Sequence, residues 1–278
     1  MIADEIVTAR SEAHPEPGAG LSVEKMPAHW LMARLGKRVL RPGGREATRW
    51  LLERARIDAG DDVVELAPGL GITAREILAR GPRSYLGVER DAAAVAATER
   101  VIAEARGVRA RVVHADASRT SAPAASASVV IGEAMLSMQP QKQKMSIITE
   151  AARVLRPGGR YLVHELAVAP DDLDPALHAE LQADLSASIK VGVRVGTAAQ
   201  WREWLESAGF AIEEVRLMPM RLLELDRLIQ DEGLARTARF AWNAVRTPGA
   251  LARMRRVRAS FRAHRERLRA IALVARRA

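Results

Sequence analysis

The sequence predicts an α/β fold: a seven-stranded, mainly parallel sheet with helices on both faces. Three observations carry this. Residues 62–73, DVVELAPGLGIT, run from an apolar strand pattern (Val63, Val64, Leu66) through a tight turn into a helical pattern (Ile72, Ala74, Ile77, Leu78). Strand, glycine turn, helix is the way a nucleotide-type ligand is held at the end of a parallel strand. Strand and helix patterns then alternate five times at the spacing of βα units, which implies crossover helices on both faces. Finally, an acidic residue stands at the end of each of the first three strand patterns: Glu65, Glu89 and Asp116.

Residues 1–20 are expected to be loosely ordered, with the linker-like EAHPEPGAG at 12–20. Residues 21–58 read as a helical cap. A helix or two is expected over 26–40 from Trp30, Leu31, Leu35 and Val39, then a break at Arg41-Pro42-Gly43-Gly44, then a helix over 45–56. After the opening strand come a strand at 84–88, a helix at 91–106 and a strand at 108–114. A strand at 128–131, a helix at 142–154 and a strand at 160–166 follow. The second half predicts helices at 175–190 and 197–208, a strand at 211–218, a helical insertion at 222–266 and a closing strand in RAIALVARR. Residues 21–278 thus read as one domain, without internal repeats.

Composition narrows the chemistry. A 48% hydrophobic content in 278 residues is ample for a core, and the absence of cysteine removes disulfides, thiolate nucleophiles and cysteine-ligated metals. No run approaches the roughly 18 apolar residues of a membrane span, and the N-terminus has no secretory h-region; a cytoplasmic protein is the default expectation. The net charge of +9 is concentrated late: residues 234–278 hold thirteen arginines and one acid, Glu266.

The three strand-end acids lie on the carboxyl edge of a parallel sheet, where ligands bind. A carboxylate after the second strand suits ribose hydroxyls, one after the third can accept from the exocyclic amine of adenine, and one beside the turn can face an ammonium. On these residues the chain resembles the class I S-adenosylmethionine-dependent methyltransferases, which share a Rossmann-like sheet. ELAPGLG is similar to their first motif, GVERD to the second and HADA to the third, and ARVLRPGGRYLVHEL is similar to their late motif. The resemblance covers residues 63–166, with a more distant likeness to the ubiquinone/menaquinone-biosynthesis methyltransferases. It implies S-adenosyl-L-methionine as cofactor and an antiparallel last strand. It also implies a cofactor set of Glu65, Ala67, Gly69, Gly71, Glu89, Arg90, Asp116 and Ala117, with Glu133 a further contact. Ala67 departs from the pattern, standing where the family has its first glycine.

For the acceptor, the segment after the fourth strand lacks the Pro-Pro-Tyr motif of amino-methyltransferases of nucleic acids, and cytosine-5 chemistry lacks its cysteine. A small organic acceptor remains, methylated on carbon, oxygen or nitrogen without a metal. His164 is expected as a general base and Glu133 as an orienting group, because Glu133 follows the fourth strand and His164 ends the fifth, both bordering the place of the methyl. Strand alternation sends His164 and Glu165 to opposite faces, so only one can project inward. Trp30, Met135 and Met138 are candidate substrate contacts. The arginine-rich segment has two readings: a packed helix with arginines in water, built on the stripe Leu251, Met254, Val257 and Phe261, or a cationic surface for an anionic substrate, membrane lipid or nucleic acid. Sparse aromatics argue against nucleic acid. An RNA methyltransferase, a non-catalytic cofactor-binding protein and a dinucleotide-dependent dehydrogenase are the alternatives weighed.

Overall fold

Val63, Val64 and Leu66 are all buried, so both faces of β1 (Asp62–Leu66) are covered, as in a central parallel strand. β1 pairs in parallel with β2 (Ser84–Glu89) and β4 (Ala127–Glu133). β2 pairs in parallel with β3 (Arg109–His114), and β4 with β5 (Leu155–Val168). Helices α3 (Ile72–Leu78), α4 (Ala92–Ala103) and α5 (Gln141–Val154) connect strands on this half. The closing strand, β8 (Leu268–Arg277), runs antiparallel between β5 and β7 (Phe210–Pro219), so the order is β3-β2-β1-β4-β5-β8-β7. The seven long strands and the reversed last one match the sequence reading. An eighth, β6 (Gly196–Thr197), pairs with β5 beyond the end of β4; two residues are too few to show a period. This computed structural model describes Gly18 and residues 20–278, and the remainder of the loose segment expected at 1–20 lies outside the described residues.

Three helix starts are fixed by side-chain caps. The Asp91 carboxylate accepts from Ala94 N at 3.0 Å and caps α4. Asp174 accepts from Ala176 and Leu177 at the start of α6 (Pro175–Ile189), with proline at the first turn, where its missing N–H costs nothing. Thr197 and Gln200 form a reciprocal capping box at α7 (Ala198–Glu206).

Three apolar clusters divide the interior. Helices α2 (Gly44–Ala55) and α3 cover one face of the sheet, where Leu51 and Ile77 meet Val63, Val129, Ile131 and Leu162. Helices α5 and α7 cover the other, where Ile148 and Trp201 meet Val64, Val130 and Val163. The third cluster lies beyond the carboxyl edge, between α1 (Ala28–Arg34), α6, and the insertion helices α8 (Leu225–Glu232), α9 (Leu234–Arg246) and α10 (Ala250–Ala263). Of the one or two helices expected at 26–40, one forms, α1, and an irregular stretch leads from Gly36 to α2.

The apolar stripe of α10 is buried through Met254, Val257 and Phe261, while Arg255 and Arg256 are exposed. Arg253 departs from the reading of arginines in water. It is buried and donates to the carbonyls of Val23 (2.9 Å), Glu24 (2.7 Å), Met26 (3.3 Å) and Ser188 (3.3 Å). One guanidinium thereby holds the N-terminal cap, α6 and α10 together, which its five fixed donors allow.

Candidate active site

The turn after β1 passes through three left-handed residues, Ala67 (φ 54°), Gly69 (φ 58°) and Gly71 (φ 70°). Glycine takes this conformation freely, whereas alanine at position 67 bears a strain of about 1–2 kcal/mol. The Ala67 N–H donates to Val88 O at 2.8 Å. At Gly71 a Cβ would stand 2.9 Å from Val101 Cγ2, so glycine there lets α3 start against α4. The turn is tied to β2 by Glu89, whose Oε2 accepts from Gly69 N at 3.1 Å and Oε1 from Arg90 N and Asp91 N at 2.8 and 3.0 Å. Asp116, past β3, accepts with Oδ1 from Ser118 N, Ser118 Oγ and Gln143 Nε2 at 2.6–2.9 Å, leaving Oδ2 free of these bonds.

Two buried carboxyls near the turn titrate in opposite directions. Burial pushes Glu65 up to about 8, against the opposing hydrogen bond from Tyr85 Oη at 2.6 Å. Burial would also raise Glu133, but the Arg41 guanidinium at 2.9 Å, then His164 and the Thr48 hydroxyl, hold it at about 2. Thr73 donates to the same carboxylate. Glu133 thus joins the cap (Arg41), α2 (Thr48), α3 (Thr73) and β5 (His164) in one buried network.

Alternation along β5 separates its two polar residues. His164 is paired in register with Glu133 and shares the α2–α3 side. Glu165 faces the α5 side, where it accepts from Met135, Leu136 and Ser137 N–H groups at 2.5–3.1 Å, holding a single helical turn at Leu136–Met138.

A cavity of about 240 Å³ opens at the carboxyl edge. Of the residues expected to contact a ligand, Glu65, Ala67, Gly69, Glu89, Arg90, Asp116, Ala117 and Glu133 line it, as do Trp30, Met135 and Met138. Gly71 does not, being turned to α4. Nor does His164, which is fully buried behind Glu133; the expectation that it faces the acceptor is corrected, because Glu165 and Leu166 are the β5 residues in the wall. Arg38, Arg41, Thr73, Met220, Leu222 and Phe261 also line the cavity, and none was expected there from sequence: Arg41 was read as part of a break and Phe261 as part of a packed stripe. His29 joins them from α1; burial, then the charge of Arg90, lowers its imidazole to about 4, so it is neutral at pH 7. The one sequence cue to it was its place beside Trp30 in the cap.

A methyltransferase-domain family model matches residues 63–159. An uncharacterized protein of Haemophilus influenzae is 31% identical over 220 residues, 78% of this chain and 85% of the relative. The chain belongs to the class I S-adenosylmethionine-dependent methyltransferases. Among solved structures similar to this methyltransferase is the geranyl diphosphate C-methyltransferase of Streptomyces coelicolor, in complex with Mg2+, geranyl diphosphate and S-adenosyl-L-homocysteine. Its TM-score is 0.60 at 15% identity, over 84% of this chain and 77% of that one. The SpnF cyclase is also similar, with a TM-score of 0.63 at 22% identity over 84% and 80% of the two chains. At such identities the likeness is one of fold, and a methyltransferase and a cyclase share it. No helix among the described residues is long and apolar enough to cross a membrane.

Proposed function

We propose that this methyltransferase acts on a small, largely apolar organic acceptor in the cytoplasm, residues 21–278 forming one functional unit. The single observation that carries the reading is the division of the cavity into two ends. Carboxylates Glu65, Glu89 and Asp116 come from the carboxyl ends of the neighbouring strands β1, β2 and β3, whereas Met135, Met138, Leu166, Met220, Leu222 and Phe261 come from beyond β4, from β5 and from the chain after β7.

The residues at the polar end fit the cofactor. The free Oδ2 of Asp116 and the adjoining Ala117 N–H suit the adenine amine and a ring nitrogen. Glu89, already aimed at the turn, suits the ribose hydroxyls. Glu65 suits the ammonium group, beside which its carboxyl would ionise. S-adenosylmethionine supplies an electrophilic methyl on a sulfonium. What the chain adds is alignment of the acceptor against that methyl and exclusion of water by the methionine-rich wall, whose flexible side chains adapt to an acceptor's shape. The buried Glu133 network fixes the polar floor between the two ends.

Calorimetry with S-adenosylmethionine and S-adenosylhomocysteine, with NAD as control, tests the cofactor seat. Transfer of labelled methyl to a panel of phenols, quinols and amines, set against charged small acceptors, tests the acceptor class. Preference for charged acceptors would overturn the apolar reading.

A further inference from the structure

Helix α9 presents three distinct arcs at the α-helical period. Thr237, Phe240 and Ala244 are buried against the cluster that roofs the cavity. Leu234, Ala238, Trp242 and Val245 follow one another on a second arc, open to solvent, with Leu234 71%, Trp242 60% and Val245 63% exposed. Arg236, Arg239 and Arg246 lie on the third, also exposed. A solvent-facing arc of large apolar side chains bordered by arginines is the composition of a helix that lies in a lipid interface. The Arg246 guanidinium stands 5.5 Å from the centre of the Trp242 ring, so the aromatic and cationic groups reach the same level. On α8, Leu225 is 59% exposed as well.

We propose that α9 docks this protein peripherally on an anionic membrane surface, with Leu234, Trp242 and Val245 entering the headgroup region and Arg236, Arg239 and Arg246 meeting lipid phosphates. Charge selects this occupant over a second copy of the chain. The protein carries a net charge of +9, and two α9 faces brought together would oppose their own arginines. The thirteen residues of α9 are too few to span a bilayer, which takes about 20, so the contact is interfacial. The inner arc of α9 packs in the same cluster as Met220, Leu222 and Phe261, which line the cavity. Docking therefore sets the roof of the cavity against lipid, where apolar molecules are concentrated.

The test is cosedimentation of the full chain with phosphatidylcholine vesicles, with and without phosphatidylglycerol, at low and high salt. Binding should require phosphatidylglycerol and weaken with salt. The triple variant Leu234→Ser, Trp242→Ser, Val245→Ser should bind about 100-fold more weakly, each exposed side chain contributing part of its transfer energy. Its melting temperature and S-adenosylhomocysteine affinity should be unchanged, because all three side chains face solvent. Arg239→Glu with Arg246→Glu should remove the preference for phosphatidylglycerol. Vesicle binding that is absent, or unchanged in the triple variant, overturns the proposal. So does a wild-type dimer that the triple variant converts to monomer, since the face would then belong to a second copy. Loss of S-adenosylhomocysteine binding by the wild type would count against the cofactor seat and leave this inference standing.

Discussion

His164 donates its Nδ1–H to Glu133 Oε1 at 2.8 Å, from positions that lie side by side on β5 and β4. The direction follows from charge: Glu133 is held at about 2 and only accepts, so the proton sits on Nδ1. The other ring nitrogen, Nε2, is buried without a partner. This is the geometry of a positioning group within a closed network.

Removing Glu133 should therefore damage the fold before the chemistry. Glu133→Ala leaves Arg41 and His164 buried without their carboxylate, a loss of about 3–5 kcal/mol. Because its folded value lies below the ordinary 4.5, Glu133 contributes stability above that pH, and the contribution fades as pH falls through about 2. Chemical denaturation at pH 7 and pH 3 should show the variant's deficit shrinking in acid. His164→Gln, which can still donate to Glu133, should keep turnover within about threefold, under roughly 0.7 kcal/mol. A loss of 100-fold or more, at the level of a general base, would refute this placement of His164.

Glu89→Ala should weaken S-adenosylmethionine binding. It removes charge-assisted hydrogen bonds worth roughly 1.5–3 kcal/mol, or about 10- to 150-fold in Kd, and it frees the Gly69, Arg90 and Asp91 N–H groups that hold the turn. Isothermal titration decides; an unchanged affinity is the adverse outcome.

Glu65 should make cofactor binding depend on protons. Its carboxyl is raised from 4.5 to about 8 by burial, so it is neutral in the folded, ligand-free protein at pH 7 and ionised in the unfolded chain. Its stabilising contribution is complete below about 4.5 and is lost as pH rises through about 8. An ammonium placed beside it favours the carboxylate, so binding should release up to about one proton and tighten by up to tenfold per pH unit within that window. Calorimetry in buffers of different ionisation enthalpy measures the release, and Glu65→Gln should abolish it.

Ala67→Gly should be neutral to mildly stabilising. Relief of about 1–2 kcal/mol of left-handed strain is offset by roughly 0.4–1 kcal/mol of added unfolded-state entropy. Ala67→Val should destabilise, since a β-branched residue tolerates φ near 54° less well. Paired unfolding curves separate the two.

Much of the polar end was legible because its residues are set by short local rules. Strand-end acids, a glycine turn and a helix start occur in one stretch of chain, and alternating βα units put all of them on one edge. The acceptor end depends on distant contacts that leave no local trace. Arg41 sits in the irregular stretch between α1 and α2, and its partner Glu133 is 92 residues away. The choice between His164 and Glu165 was open for a specific reason: residues 161–168 of β5 are buried on both faces, so no polar–apolar alternation marks which side is which. Glu133 was expected to follow its strand and instead ends it, because β4 runs two residues further than its apolar pattern.

The order β5-β8-β7 also constrains how the chain assembles. β7 precedes β8 in the sequence, yet β8 lies between it and β5. β7 cannot join the sheet until the insertion helices have been passed and β8 has slotted into place. Until then β5 has an open edge and β7 waits as an unpaired ribbon, so the final closure is a long-range event of the slow kind. The parallel β3-β2-β1-β4-β5 portion needs none of this. Folding should therefore pass through a species whose turn and strand-end acids are assembled while the roof over them is still missing, and that species is the one most exposed to aggregation through its unpaired edges.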